Sequence, residues 1–469
     1  MTISRSRPAA GEQERQQGHA QHEAQQRPTT HPRPAVPAPQ RARARVREPG
    51  PEGQECVLLK HGEIFLRGRN RARFEELLHR NLRDALQGLP GPAWIEKGRS
   101  VTLVGPTANS PLSLEELVAC VRRVIGFNLV QPVVRVPSTV EDIGDHAVQA
   151  LRRAWEERSG GRGGITFAVR AKRRDKSFPL TSSALAAAVG ERVRLETGAQ
   201  VNLTAPDVEL AVEVERKGSY LAWKRVAGQG GLPVGSSGRA LALLSGGYDS
   251  PVAAYRAMRR GLACDFVHFT GAPYTDASSV YKAYALAREL NRFQPDRTLW
   301  IVPLGKAQKQ LAIAGAGRLQ VVAQRRLMAR TAGALGQRLG AGALVMGDSL
   351  GQVASQTVAN MAAVDEAASL PLLRPLLGWE KQEIIDEARA LGTAEVSVLP
   401  DEDCCSLLAP RQVSTHARVP DLERVEKRLE VDELVEELLA GAWAMEPGAD
   451  SAGPASCAAA PEPGPGQDG

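Results

Sequence analysis

Two clusters of residues in this chain have the types and spacing for group-transfer chemistry. The first is Ser245-Gly246-Gly247-Tyr248-Asp249-Ser250, between the apolar run 240–244 and a helical stretch expected from Pro251. Glycines let a backbone approach an anion. Free N–H groups at a helix start, aided by the helix dipole, then hold its charge. Ser245 and Ser250 add hydroxyl donors. Asp249 would repel a phosphate unless it serves a magnesium ion or fixes the loop. The pattern GxxxxGK[ST] is absent here, so the loop is not of the Walker type. The second cluster is Cys404-Cys405, directly after Asp401-Glu402-Asp403. No Cys/His spacing suited to zinc accompanies the pair. One thiolate of such a pair can accept a sulfane sulfur or cleave a persulfide. The acidic neighbours oppose thiolate formation, so reactivity requires a base, a helix N-terminus or bound substrate to offset them.

The elements that must position these groups change character along the chain. Residues 1–52 and 446–469 are rich in Gln, Pro, Ala and Gly and are expected to be disordered; residues 1–50 carry a net charge of +5. From residue 53 the pattern is one of small α+β units. Strands are expected at 56–62, 94–104, 130–136 and 165–170, with helices at 73–86, 114–124, 140–157 and 180–195. Ser113 before Glu115 and Glu116 marks one helix start. Residues 62–70 read as a turn, and two or three strands follow between 201 and 226. A Gly/Ser-rich linker is expected at 228–240. After it, apolar strands alternate with helices, and such alternation implies a parallel doubly wound sheet. The later helices include 319–339, 380–391 and one long helix over 422–439. The expected fold class is therefore α/β, with smaller α+β domains ahead of a doubly wound sheet.

No apolar run is long enough to span a membrane, and residues 1–52 lack a secretory h-region. A cytoplasmic protein with reduced thiols is the expectation. The net charge of +6 suits an anionic partner. Arg170, Lys172, Arg173, Arg174 and Lys176 form its densest basic run.

SGGxDS resembles the PP-loop of adenine-nucleotide α-hydrolases, which activate an oxygen as an adenylate and release pyrophosphate. Further segments occur in order: HFTGAPYTD, MGDSLGQVASQT, LRPLLGWEKQEIIDEARALGT and EDCC. Upstream stand LKHGEIFLRGRNRARFEELLHRNL and FAVRAKRRDKSFPLTSSALAAAVGERV. Together they resemble the tRNA 4-thiouridine synthase family over roughly residues 55–440.

The resemblance implies an N-terminal ferredoxin-like domain at 53–112 and a THUMP RNA-binding domain at 113–227. A PP-loop domain follows at 228–445. It implies ATP with nucleotide-associated Mg2+ and no resident metal. The product is 4-thiouridine at tRNA position 8, made with persulfide sulfur from a cysteine desulfurase. A role toward the thiamine thiazole, through a sulfur-carrier protein, and a homodimer are further implications. ATP contacts fall on Leu243, Leu244, Ser245, Gly246, Gly247, Ser250, His268, Phe269, Arg325, Gly347 and Gln356. Asp249 matches the aspartate needed for activity. RNA contacts fall on Arg170, Lys172, Arg173, Arg174 and Lys176. Cys405 is the favoured catalytic thiol, with Cys404 the alternative. Some family members carry a C-terminal rhodanese domain with a second catalytic cysteine. None is expected here, which implies a one-cysteine or two-component route. Three other readings compete: an enzyme serving mainly thiamine synthesis, an RNA-binding protein with a vestigial nucleotide site, and another PP-loop tRNA enzyme. The intact THUMP-like, SGGYDS and EDCC segments weigh against them.

The basic run yields a first prediction. Binding of unmodified tRNA weakens steeply as salt rises, with a log–log slope near −0.7 to −0.9 per neutralised phosphate. Filter binding from low to moderate salt reads the slope, and a flat response contradicts the expectation.

Overall fold

The computed structural model describes residues 53–98, 101–159, 163–216, 218–402 and 408–448. The basic N-terminal stretch, most of the tail, and Cys404 and Cys405 lie outside these residues.

The first unit comprises β1 (Glu55–His61), α1 (Arg71–Leu86), β2 (Ala93–Lys97), β3 (Val101–Pro106), α2 (Leu114–Val121) and β4 (Phe127–Val136). Helix α2 starts where Ser113 predicted, and Ser113 and Glu116 close a reciprocal capping box. Residues 63–70 form two short 3-10 segments kinked at Gly68, where φ is +50°, rather than a simple turn. The next unit runs α3 (Val140–Ser159), β5 (Thr166–Arg173), α4 (Ser182–Thr197), β6 (Gln200–Val201), β7 (Val208–Glu215), β8 (Gly218–Ala222) and β9 (Val226–Ala227).

Both units share one nine-stranded sheet, ordered β2-β3-β1-β4-β8-β7-β5-β6, with β9 also on β4. Side-chain alternation along β4 puts Val130, Val134 and Val136 on one face. These residues join the cores under α1 and α2 and under α3 and α4, so all four helices cover that face. The opposite face buries Cys56, Leu58, Trp94, Val133 and Tyr220 without a helix among the described residues. Curvature accomplishes this. Lys60 on β1 pairs with Glu213 on β7, although β4 and β8 lie between them.

The third unit opens with β10 (Arg239–Leu243), α5 (Asp249–Arg259), β11 (Ala263–Thr270), α6 (Ser278–Asn291) and β12 (Leu299–Pro303). It continues through α7 (Gly305–Ile313), α8 (Gln320–Arg338), β13 (Ala343–Val345), α9 (Val358–Ala367) and β14 (Leu372–Leu373). It closes with α10 (Lys381–Leu391), α11 (Ala394–Ser397), α12 (Val419–Glu426), α13 (Val431–Ala440) and β15 (Trp443–Met445). The sheet order is β14-β13-β10-β11-β12-β15, parallel except for β15, which pairs antiparallel to β12. This is the doubly wound sheet that the alternation implied. Strand order reverses between β10 and β13, and ligands of such sheets bind at that crevice.

Three further expectations need correction. The helix expected over 422–439 is two, α12 and α13. The break lets Leu422 and Val425 from one, and Leu434, Val435, Leu438 and Leu439 from the other, enter a single core. The expected linker at 228–240 is instead an ordered seam. Gly126 N–H donates to Gly230 O at 2.7 Å, Gly230 N–H to Phe127 O at 2.8 Å, and Leu232 N–H to Arg259 O at 3.0 Å. Leu232 and Val234 are buried there. Helix α5 begins at Asp249, two residues before Pro251, so the end of the nucleotide loop is its first turn.

Arg326 on α8 is fully buried beneath α12 and α9. It donates to Glu426 at 2.6 and 2.9 Å and to Glu366 at 2.6 Å. Burial alone would raise the Glu426 pKa, but the Arg326 hydrogen bonds outweigh it and hold the carboxyl below its ordinary value. Removing Glu426 takes away two of the three carboxylate bonds to Arg326 and leaves Glu366 as its partner, so Glu426→Ala is expected to cost about 1.5–3 kcal/mol in urea unfolding at neutral pH. A depressed carboxyl contributes stability above its unfolded pKa of ~4.3, and that contribution is lost as pH falls through the lower folded value. The gap between wild type and variant therefore narrows in acid.

Candidate active site

The site forms at the carboxyl ends of β10 and β13, where the strand order reverses. Leu244, just past β10, donates its N–H to Val267 O at 2.8 Å and so continues the ladder to β11. The chain then turns through Ser245 and Gly246. Ser250 Oγ accepts from Ser245 N–H at 2.8 Å, and the two hydroxyls lie 3.0 Å apart. Gly247 N–H points to Ser245 Oγ at 3.3 Å. The serines thus brace the loop. The N–H groups of Gly246 and Tyr248 make no hydrogen bond among the described residues, as an anion cradle requires.

Gly347, in the turn after β13, packs flush against this helix start. A Cβ there would meet Ser250 N at 2.7 Å and the carbonyl carbon of Asp249 at 2.8 Å. Contacts that short cannot persist without moving the loop, so only glycine fits.

Asp249 is held at both oxygens. Lys381 Nζ reaches Oδ1 at 2.7 Å, and Gln352 Nε2 reaches Oδ2 at 3.0 Å. Lys381 also lies 5.6 Å from the Tyr248 ring centroid. Sequence reasoning missed both partners. One signal was present: Lys381 is the first residue of α10, where the positive end of the helix dipole disfavours a cation.

Asp348, next to Gly347, is the second hub. It accepts from Arg325 at 2.5 Å, from Arg374 at 3.0 Å and from Gln356 at 3.4 Å. Arg325 and Gln356 are therefore brought together, as constraints on the loop after β13. Neighbouring Arg326 points into the core instead.

His268 is buried at the end of β11. Its Nδ1 lies 2.9 Å from Leu244 O and its Nε2 lies 3.1 Å from Ser279 Oγ. A carbonyl only accepts, so Nδ1 carries a proton and donates it to Leu244 O. The ring ties the end of β10 to the first turn of α6. Phe269 and Leu244 are core residues, in separate clusters on the two faces of the sheet, while Leu243 packs half-buried against the Phe269 cluster. Residues 403–407 are outside the described set. On the near side, Glu402 N–H donates to Ser278 Oγ at 3.1 Å, and its carboxylate accepts from Asp276 N–H at 2.9 Å.

The five basic residues around β5 sit on the other sheet and divide. Arg173 donates to Phe178 O at 2.9 Å and Leu180 O at 3.0 Å, bracing the turn before α4. Arg170 bonds Leu203 O and lies 3.7 Å from Glu209, while Arg174 pairs with Glu215 at 3.0 Å. Lys172 and Lys176 are exposed and make no ion pair among the described residues.

Fold and site together define a PP-loop α/β domain joined to a curved nine-stranded sheet covered by helices on one face. Three family profiles match in order: the ThiI ferredoxin-like domain over 56–130, the THUMP domain over 137–223, and thiamine biosynthesis protein (ThiI) over 235–431. A probable tRNA sulfurtransferase of Nocardia farcinica is 56% identical over 393 residues, spanning 84% of this chain and 94% of that protein. One from Thermus thermophilus is 41% identical over 391 residues, spanning 82% of this chain and 93% of that protein. A crystal structure of a 4-thiouridine synthetase–RNA complex with bound ATP superposes with a TM-score of 0.74. It has 29% identity and covers 84% of this chain and 99% of that one. The chain belongs to the tRNA sulfurtransferase family.

Adding one methyl group at the crevice is the sharpest local test. Gly347→Ala forces the loop off the helix start at a cost of about 1–3 kcal/mol. ATP affinity, measured by calorimetry, is expected to fall about tenfold or more.

Proposed function

We propose that this enzyme uses ATP to convert the uridine at tRNA position 8 to 4-thiouridine. The observation that carries the proposal is the nucleotide loop at the switch point, with the segment that precedes Cys404-Cys405 held at its flank, Asp401 against Gly246 and Glu402 on Ser278 and Asp276. Activation of an oxygen and delivery of sulfur then occur at one place.

In this reading, the Gly246 and Tyr248 amides and the start of α5 hold the ATP phosphates. Lys381 neutralises Asp249, which would otherwise repel them. Nucleotide-associated Mg2+, when bound, would screen the phosphate charge, and Asp249 is the residue that would hold it. Asp249 can join its shell, since each carboxylate oxygen keeps a second lone pair beside its present donor. The uridine O4 attacks the α-phosphorus, the bond to the β-phosphate oxygen breaks, and pyrophosphate leaves. The terminal sulfur of a persulfide on Cys405 attacks C4, and AMP departs with the former O4. A second thiol, Cys404 or a small molecule, then breaks the S–S bond and forms a disulfide with Cys405. The sulfur stays on the base as 4-thiouridine, and an external thiol reductant resets the enzyme. A cysteine desulfurase supplies the persulfide.

The basic side chains around β5 hold the tRNA by shape and charge, since aromatics for base stacking are scarce. The ordered seam at 228–238 keeps that surface at a set distance from the nucleotide loop. The thiamine wording of the family profile supports a second output of the same sulfur, toward the thiazole ring through a carrier protein.

Incubation with unmodified tRNA, ATP, magnesium, cysteine and a desulfurase tests the main reading. The expected result is the near-ultraviolet absorbance of 4-thiouridine with an equimolar amount of pyrophosphate. Cys405→Ala abolishes the thionucleoside while Cys404→Ala retains it when a small thiol is present. Absence of thionucleoside with the wild-type protein rejects the reading.

A further inference from the structure

Lys282, in the second turn of α6, belongs to none of the roles assigned above. Its side chain is only 7% exposed, and a buried ammonium requires specific partners. Both partners come from the segment after α11. Lys282 Nζ donates to Leu399 O at 2.5 Å and to Asp401 Oδ1 at 2.9 Å.

The pair rests on the nucleotide loop itself. A Cβ at Gly246 would meet Asp401 Oδ2 at 2.5 Å and Lys282 Cδ at 3.0 Å. Glycine at this loop position thus does more than free the backbone for an anion. It makes room for the ion pair on the loop's flank. Glu402 adds its two bonds, to Ser278 and to the Asp276 amide. Three of the four residues 399–402 are therefore anchored to the N-terminal end of α6. Ser279, on that same end, holds His268 and through it the end of β10. Cys404 is two residues beyond Glu402.

We propose that Lys282 is a positioning residue for sulfur transfer. With Asp401 it fixes residues 399–402, which precede the two thiols in the chain, against Gly246 of the nucleotide loop. The inference rests on the functional reading above. Energetics favour a positional role, because a buried ion pair is seldom more stabilising than apolar residues of the same volume. Reacting atoms must come within about 3–3.5 Å, and a displacement of ~1 Å can cost about 100-fold.

The test separates the two half-reactions in the full-length protein with tRNA, ATP, magnesium, cysteine and a desulfurase. In single-turnover reactions of Lys282→Met and Asp401→Asn, pyrophosphate is expected to form at close to the wild-type rate while the rate of 4-thiouridine formation falls about 10- to 100-fold. Lys282→Arg, which keeps the charge, restores part of the thionucleoside. Pyrophosphate and thionucleoside falling together in constant ratio overturns the proposal, as does no loss of either. Hydrogen exchange over residues 398–402 reads the anchor without substrate and is expected to accelerate in Lys282→Met; unchanged exchange also overturns it. If exchange accelerates but the wild-type protein makes pyrophosphate and no thionucleoside, the functional reading has failed, and the sulfur-transfer role fails with it.

Discussion

Asp249 is clamped by two side chains from different parts of the chain, and the site depends on that clamp. Lys381 arrives from the start of α10 and Gln352 from the loop after β13. A carboxylate at the mouth of an anion-binding loop is electrostatically misplaced unless a cation neutralises it. The clamp supplies that cation and at the same time joins the loop after β10 to the loop after β13. Those two loops face each other because β10 and β13 are neighbours at the point where strand order reverses. The flush packing of Gly347 and the gathering of Arg325, Arg374 and Gln356 on Asp348 hold the second loop in register with the first.

A second constraint acts between domains. The stretch rich in Gly and Ser that looks like a tether is hydrogen bonded to Phe127 and Gly126 on one side and to Arg259 on the other. Asn81 also donates to Val234 O at 3.1 Å, and Arg260 pairs with Glu63 at 2.8 Å. A seam of this kind suits an enzyme whose substrate is a rigid nucleic acid. An RNA held at one point presents its reacting base at a defined distance, and the protein has to match it.

Much of the fold was legible because burial imposes periodicity. The amphipathic helices at 73–86 and 140–157 and the apolar strands at 240–244 and 263–270 carry their period in the residues themselves. Short or doubly covered elements do not. Helix α9 has apolar residues on every side, so no face marks it, and β14 and β15 are too short to show alternation. The break between α12 and α13 contains no Gly or Pro to mark it, and its one trace in the sequence is a shift of apolar phase between Val425 and Leu434. The neighbouring Arg325 and Arg326 look alike in sequence. On a helix they point about 100° apart, so one enters the site and the other the core.

Local sequence by itself determined the chemistry on offer: an anion-binding loop, a vicinal thiol pair and a basic run. Those properties reside in residue types and close spacing, which need no partner to be recognised. Which groups stand together was decided only by the tertiary structure. Lys381 lies 132 residues from Asp249, and Lys282 lies 119 from Asp401. Gly246 and Gly347 read as turn residues until the neighbouring chain shows that each is also a contact surface. Pairings over such distances depend on strand order and helix direction, and no short window of sequence contains either.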